Sequence, residues 1–465
     1  MKRLRFAALL AFLCLLLTAC TADQPVTPTG TNPLPVIVVP SEPEATQPEP
    51  AERTVPAGYN AHDFLALSAF LDLTDENGIP NGQKIKFDYD VNPPLTWGNN
   101  PPTAEVVWQE QADGEKHLVS LDFAPERETS FAGTLDLSGC TALTEIQLTR
   151  VGVAGLRVDD CPNLQGLNIS NAPMQNLIVR NCPSLIWFST VDVPLRSLHF
   201  QNCPSLESLI LEGEGVNKLN ISGAESVTYL LIRYEGLTTV DLSAFRELKQ
   251  LDLWTENLSK LDLRSCTKLS SLNVRRSDLT ELDLSKCPEL QTLILTEVCL
   301  RDLDLTACPA LRDLQLLYVP LSRLNLSANP ELKELYIRGG ELTELDLSAN
   351  PALEEVAIGE TRLTEIGLSD CRNLRSVQFF DTPLTSVDLA GCDALQFYGI
   401  HTQGSGTVEF STEYGTGEYH AAAVHEFIYS FKGWYDRGGT LLSTEEEFSF
   451  VPGTCDYLIA VFERY

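Results

Sequence analysis

The hydrophobic positions of this chain follow a fixed period. An aliphatic residue opens the pattern Leu-Asp-Leu-Ser-x-Cys, or a close variant, at Leu135, Leu156, Leu177, Leu198, Leu219, Val240, Leu261, Leu282, Leu303, Leu324, Leu345, Ile366 and Val387. Every step is 21 residues, with no insertion or deletion over thirteen copies. A second alternating run precedes each copy, as in Leu251-Asp252-Leu253 and Leu293-Ile294-Leu295. Alternation sends residues i and i+2 of an extended strand to the same face, so both leucines of each run turn inward. A further apolar residue sits between the runs, at Val216, Leu237, Leu258, Leu279, Leu300, Leu321, Leu342, Leu363 and Leu384. One coil cannot bury these residues alone, whereas stacked coils share a continuous core. The pattern predicts a mostly β solenoid over 135–402, with 21-residue coils and two short parallel strands per coil. At parallel-strand spacing thirteen coils make a rod or arc about 60 Å long.

The flanks read differently. Residues 58–134 are expected to form an N-terminal cap, because an uncovered first coil would expose the core. Asn60-Ala61-His62-Asp63 starts a short helix with Phe64, Leu65, Leu67, Phe70 and Leu71 on its apolar side, and Leu118 to Phe123 reads as a degenerate first coil. Trp97 and Trp108 fall in the same cap. The period stops after Thr402, and Gly404-Ser405-Gly406 marks a junction. Residues 403–465 form a separate small segment with strand-like runs at Thr407–Phe410, Phe427–Phe431, Phe448–Val451 and Leu458–Phe462.

At the N-terminus, Lys2, Arg3 and Arg5 precede an apolar stretch from Phe6 to Leu17, too short for a comfortable transmembrane helix. It ends in Leu17-Thr18-Ala19-Cys20, which resembles the lipobox of bacterial lipoproteins. The resemblance implies a signal peptide over 1–20 and a lipid on Cys20, anchoring the chain in a cell membrane with its body facing the extracellular side. Residues 21–57 are rich in proline and threonine. Proline favours extended polyproline II, so this stretch reads as a disordered, semi-rigid tether.

The 21-residue unit resembles the leucine-rich repeats of bacterial surface proteins, most closely the cysteine-bearing repeats of some internalins. It departs from the usual bacterial repeat after the first strand, where Val298, Val319 or Glu256 replaces asparagine. Phe431-Lys432-Gly433-Trp434-Tyr435, followed by Leu458 to Phe462, resembles a small β-grasp repeat of bacterial surface proteins. Together these resemblances imply a surface protein that recognises other molecules.

Nine cysteines share one repeat position: Cys140, Cys161, Cys182, Cys203, Cys266, Cys287, Cys308, Cys371 and Cys392. Ala224, Phe245, Asn329 and Asn350 take it in the other coils. A disulfide chain or metal array is one reading. Side chains stacked in parallel do not aim at one another, however, and alanine or phenylalanine holds no ligand. A buried ladder of reduced thiols is the expectation.

The outward positions supply the candidate recognition residues. One column runs Thr149, Ser170, Val191, Glu212, Arg233, Trp254, Arg275, Thr296, Leu317, Arg338, Gly359 and Phe380. Neighbouring columns add Trp187, Tyr229, Tyr234, Arg276, Tyr318 and Tyr336. Arginine and aromatic residues are enriched at binding hot spots, and aromatic faces also suit sugar rings. The candidate ligand-binding set is therefore Trp187, Tyr229, Arg233, Tyr234, Trp254, Arg275, Arg276, Tyr318, Tyr336 and Arg338. The alternative is that arginine and tryptophan merely stack between strands. A column of acids, Asp241, Asp262, Asp283, Asp304 and Asp346, with Asn325 among them, reads either as local hydrogen bonding or as a calcium ladder.

Charge and chemistry narrow the function. The chain carries 64 acidic and 33 basic residues, a net charge of −31. Such a field disfavours nucleic acid. None of the six histidines sits in His-Glu-x-x-His, and no nucleophile elbow, phosphate loop or dinucleotide fingerprint is present. Cys299 and Cys455 lie off the ladder without a nearby histidine. The expectation is a non-enzyme with no cofactor and no metal, binding a protein or carbohydrate partner and the membrane through Cys20. A structural spacer of the envelope is the alternative.

Overall fold

In a computed structural model the described residues are 53–85, 104–125, 129–380, 382–384, 386–388, 391–392, 400–402, 406–412, 419–425, 429–435, 440–450 and 459–464. The signal-peptide reading, residues 21–52 of the tether, Cys20 and Trp97 lie outside them, whereas the last tether residues meet the cap, with Arg53 paired to Asp72 and Val55 packed on the core. Among the described residues no helix is long and apolar enough to cross a membrane.

The repeat folds as a parallel β-solenoid of about 12 turns. Its first-run segments form one 15-stranded sheet. Pairing keeps the 21-residue step: Leu230 faces Leu209 and Leu251, and Leu272 faces Leu251 and Leu293. A strict period therefore becomes a straight ladder in which each leucine lies against its counterpart. Leu209, Leu230, Leu251, Leu272 and Leu293 are all buried, as are Leu237, Leu258, Leu279 and Leu300 between the runs. Burying one such side chain contributes about 1.5–3 kcal/mol before the entropy of ordering it is counted.

The second run is regular only in part. It pairs as parallel strands through Thr134–Asp136 and Gly155–Arg157, through Asn176–Arg180, Ser197–Gln201, Lys218–Ser222 and Thr239–Val240, and through Glu344–Asp346, Glu365–Gly367 and Ser386–Asp388. The coils opening at Leu261, Leu282, Leu303 and Leu324 form no ladder there. In these coils the backbone N–H of residues 264, 285, 306 and 327 donates to the side chain two residues earlier, on Asp262, Asp283, Asp304 and Asn325, at 2.9–3.1 Å.

The N-terminal cap covers the first coil. Helix α1 (Ala61–Asp72) starts at Asn60, whose side chain accepts the Asp63 N–H at 3.2 Å. It ends where Leu73 turns extended. Phe64, Leu67, Phe70 and Leu71 are buried as expected, but Leu65 is 44% exposed. Leu65 lies about 100° round the helix from Phe64, and the cap covers only one stripe. A second short helix, α2, spans Asn81–Ile85. Strand β1 (Ala104–Glu110) pairs antiparallel with β2 (Lys116–Phe123), and β2 pairs parallel with Glu145–Thr149. The degenerate coil is thus the first parallel strand of the main sheet, with an antiparallel strand laid along its outer edge. Trp108 contacts Tyr59 edge-on, with ring centroids 5.1 Å apart.

Beyond the solenoid, Gly406–Thr412, Tyr419–His425 and Glu447–Phe450 form one antiparallel sheet. Leu441–Ser443, Tyr429–Tyr435 and Ile459–Arg464 form another. Trp434 is fully buried, and its indole N–H donates to the Glu445 carbonyl at 2.9 Å. The strands Tyr419–His425 and Leu441–Ser443 were not evident as runs of alternating residues, since one holds three consecutive alanines.

Candidate functional site

The outward face of the main sheet is built by register. Glu212, Arg233, Trp254 and Arg275 stand on four successive strands as direct partners. The Arg233 guanidinium lies over the Trp254 ring, 4.1 Å from its centroid. Arg276 approaches the same ring at 5.6 Å. Trp254 is half-buried and remains open to solvent between the two cations. Arg275 turns its Nε to the Asn273 side chain at 3.2 Å.

Arg276 reaches the ring because of its backbone. Its φ is +51°, in the left-handed region, and the same repeat position is left-handed at Arg150, Asn171, Asp192, Glu297, Tyr318 and Glu360. This conformation breaks the strand alternation and turns the side chain outward. Tyr318 is consequently 41% exposed.

Tyr234 occupies the same repeat position and does the opposite, which corrects its place among the candidate ligand-binding residues. The strand Tyr229–Tyr234 runs one residue further in extended form, so alternation carries Tyr234 into the core at 0% exposure. Its hydroxyl donates to the Val193 carbonyl at 2.9 Å. The preceding coil makes room with Gly213, where a Cβ would stand 3.0 Å from the Tyr234 ring.

The remaining candidates form separate groups. Arg338 lies 5.6 Å from the Tyr318 ring centroid and donates twice to one oxygen of Glu360, at 2.7 and 3.0 Å. Desolvation holds the Tyr318 hydroxyl up to about 12, and Tyr336 is also raised by burial. Tyr318 stands two coils past the Arg276 level, about 10 Å along the sheet. Tyr229 is half-buried, with its hydroxyl raised to about 12 by desolvation and by Asp252. Trp187 lies over Gly166, where a Cβ would fall 2.2 Å from the indole Cζ2.

Sequence reading missed the acids that partner these arginines. Glu212 stands 3.8 Å from Arg233, and Arg276 meets Glu297 at 3.2 Å and Glu256 at 4.0 Å. The period carried the signal, since Glu212 lies 21 residues before Arg233 and Glu297 lies 21 after Arg276.

The other two columns are accounted for by hydrogen bonds. Asp241 and Asp346 make the same two-residue turns as Asp262, Asp283 and Asp304. The Asp262 carboxyl falls to about 2 through the Arg264 side chain and the Arg264 N–H. Asp283 and Asp346 are lowered mainly by the N–H of Ser285 and Ser348, and Asp304 by the Thr306 hydroxyl. The nine ladder cysteines are reduced thiols and buried. Cys161, Cys182, Cys371 and Cys392 donate to the carbonyls of Leu137, Val158, Leu347 and Leu368, each 24 residues earlier, at 3.0–3.4 Å. Asn329 makes the equivalent bond to Leu305 at 3.1 Å and adds one to Cys308 at 2.8 Å. Burial raises the thiols of Cys266, Cys308 and Cys371 to about 12 and that of Cys287 to about 11, so they are protonated at neutral pH.

No protein-family model matches the sequence, and no curated protein does either. Solved structures with a similar fold include the functional domain of InlJ from Listeria monocytogenes, which includes a cysteine ladder. It is 20% identical, with a TM-score of 0.49, over 75% of this chain and 85% of that one. A leucine-rich-repeat protein of Leptospira interrogans is 17% identical, with a TM-score of 0.46, over 58% of this chain and 83% of that one. YopM from Yersinia enterocolitica is 19% identical, with a TM-score of 0.29, over 60% and 72%. The solenoid stands on its own strand register and buried columns.

Proposed function

We propose that this chain is a lipid-anchored bacterial surface protein that recognises a protein or glycan through the outward face of its solenoid. The observation that carries the reading is Trp254, held half-exposed between Arg233 and Arg276 in the middle of the sheet. A rigid indole flanked by cations offers large contact area with little freedom left to lose. Tyr229 and Trp187 extend the surface toward one end, and Arg275, Tyr318, Tyr336 and Arg338 extend it toward the other. The lipid on Cys20 holds the body on the outer side of a membrane, and residues 403–465 act as a β-grasp-like accessory module. No catalytic role is assigned to any residue.

Binding of residues 58–465 to glycan arrays and extracellular protein libraries tests the reading. A variant with Arg233, Trp254 and Arg276 changed to alanine runs beside the parent chain. A ligand lost in the folded variant supports this face, and a ligand retained moves recognition elsewhere. Cys20→Ser should release unlipidated protein from the membrane fraction, and continued lipid labelling would overturn the anchor.

A second reading, a spacer without a specific ligand, is favoured by the ion pairs of Arg233, Arg276 and Arg338 with neighbouring glutamates. Those pairs satisfy the cations within the face itself. Absence of any ligand across both libraries would favour it.

A further inference from the structure

The cysteine ladder has an open end. Cys140 is its first member, and the carbonyl 24 residues earlier belongs to Lys116. That carbonyl already accepts the Asn60 N–H at 2.9 Å. Cys140 faces the first turn of α1 instead, and its thiol is pushed up by burial and by the nearby Asp63 carboxylate. Donor atoms of His62, Asp63 and Cys140 all lie within 4.8 Å of one another.

We propose that His62, Asp63 and Cys140 bind a divalent transition metal, with Zn²⁺ the fitting ion, and so pin the cap helix to the first coil. The donor set is one imidazole nitrogen, one carboxylate oxygen and one thiolate. That combination suits zinc and excludes calcium and magnesium, which take oxygen ligands. Tetrahedral zinc with these ligands has donor atoms about 3.3–3.6 Å apart, so donors that lie within 4.8 Å of one another close by no more than about 1.5 Å on binding.

Each ligand is prepared. Asp63 is 1% exposed and Cys140 0%. One oxygen of Asp63, Oδ2, accepts from the Leu118 N–H at 3.0 Å and contacts His117 Nδ1 at 3.1 Å, and neither contact uses Oδ1. His62 Nε2 lies 2.7 Å from the Ser138 carbonyl. A carbonyl only accepts, so Nε2 carries the proton and Nδ1 of the neutral ring has a free lone pair. An N–H donated to a carbonyl is the usual outer partner of a metal-binding histidine. His117 positions Asp63 and is itself held by Asp113 at 2.9 Å.

Binding forms the Cys140 S–Zn bond and releases the thiol proton to water. One carboxylate and one thiolate then neutralise the dication, which suits a buried site. His62 is exposed and gives the ion its route in, and a water fills the fourth position. The sequence hides the site because Asp63 and Cys140 lie 77 positions apart (140 minus 63) and match no spacing motif.

The test uses the full-length protein stripped of metal and titrated with ZnCl₂ by calorimetry, with CoCl₂ as an optical probe. One Zn²⁺ per chain is expected, along with a thiolate-to-cobalt charge-transfer band. Cys140→Ser should abolish the band and weaken Zn²⁺ binding at least about 100-fold, and His62→Ala should weaken it comparably. Cys299→Ser should change neither. The exposed His62→Ala variant, checked by circular dichroism, keeps the test decisive if Cys140→Ser does not fold. Failure of the folded parent to take up Zn²⁺, equal uptake by His62→Ala, or a cobalt adduct without a thiolate band would each overturn the proposal.

Discussion

The Tyr234 hydroxyl donates to the Val193 carbonyl across two coils, at 2.9 Å, from a ring that is wholly buried beneath the outward face of the main sheet. Its neighbours in the strand order, Arg233 and Trp254, point the other way. The same short segment therefore contributes one residue to stability and others to the surface.

This division is measurable. Tyr234→Phe leaves the Val193 carbonyl without that partner and should cost about 1–2 kcal/mol. Tyr234→Ala should cost about 3–5 kcal/mol through the cavity it opens. Trp254→Ala should cost about 1 kcal/mol or less, since it removes a partly exposed stack. Urea denaturation distinguishes them. A Trp254 variant as unstable as Tyr234→Ala would show that the tryptophan is a structural group.

The ladder position should tolerate cysteine better than alanine. Asn329 donates to two buried carbonyls, of Leu305 and Cys308. Asn329→Ala removes one donor from each carbonyl, leaving only the Cys308 N–H on Leu305 and the Leu311 N–H on Cys308, and should cost about 1 kcal/mol. Asn329→Cys supplies one weak donor, as at the neighbouring coils, and should recover part of that loss. Equal urea midpoints for the two variants would refute a hydrogen-bonding role for the column.

Asp313 should make the fold less stable as pH rises. Burial, with a smaller contribution from Glu334 and opposed by the Gln315 side chain, raises its carboxyl to about 6. The unfolded chain titrates near 3.9. Between roughly pH 4 and 6 the folded state holds the extra proton, so stability falls with increasing pH by up to about 1.4 kcal/mol per unit from this group. Asp313→Asn should remove that component and raise the melting temperature at pH 7 above the parent's. Thermal melts from pH 4 to 7 check it, and parallel curves for both proteins would contradict it.

Gly166→Ala should unseat Trp187 without unfolding the sheet. The new Cβ meets the far end of the indole rather than backbone. Alanine gains about 0.5–1 kcal/mol over glycine in a strand, which offsets the lost ring contact. Stability should change by less than about 1 kcal/mol, while tryptophan fluorescence shifts. Unchanged emission would mean that the ring keeps its position.

The sequence by itself determined the solenoid. A 21-residue period without a single indel leaves one way to align each leucine with its counterpart, and the core columns, the reduced cysteine ladder and the α1 start at Asn60 follow from alternation and capping. It also marked Arg233, Trp254 and Arg338 as outward, because they stand within regular strands. Tertiary structure decided what the period could not encode. Whether the residue after the strand turns out, like Arg276 and Tyr318, or in, like Tyr234, depends on backbone φ and on the space left by Gly213 one coil away. Only stacking brought Glu297 against Arg276 and Glu360 against Arg338. Only the docking of α1 on the first coil set His62 and Asp63 beside Cys140, since chain folding joins residues whose separation follows no repeat.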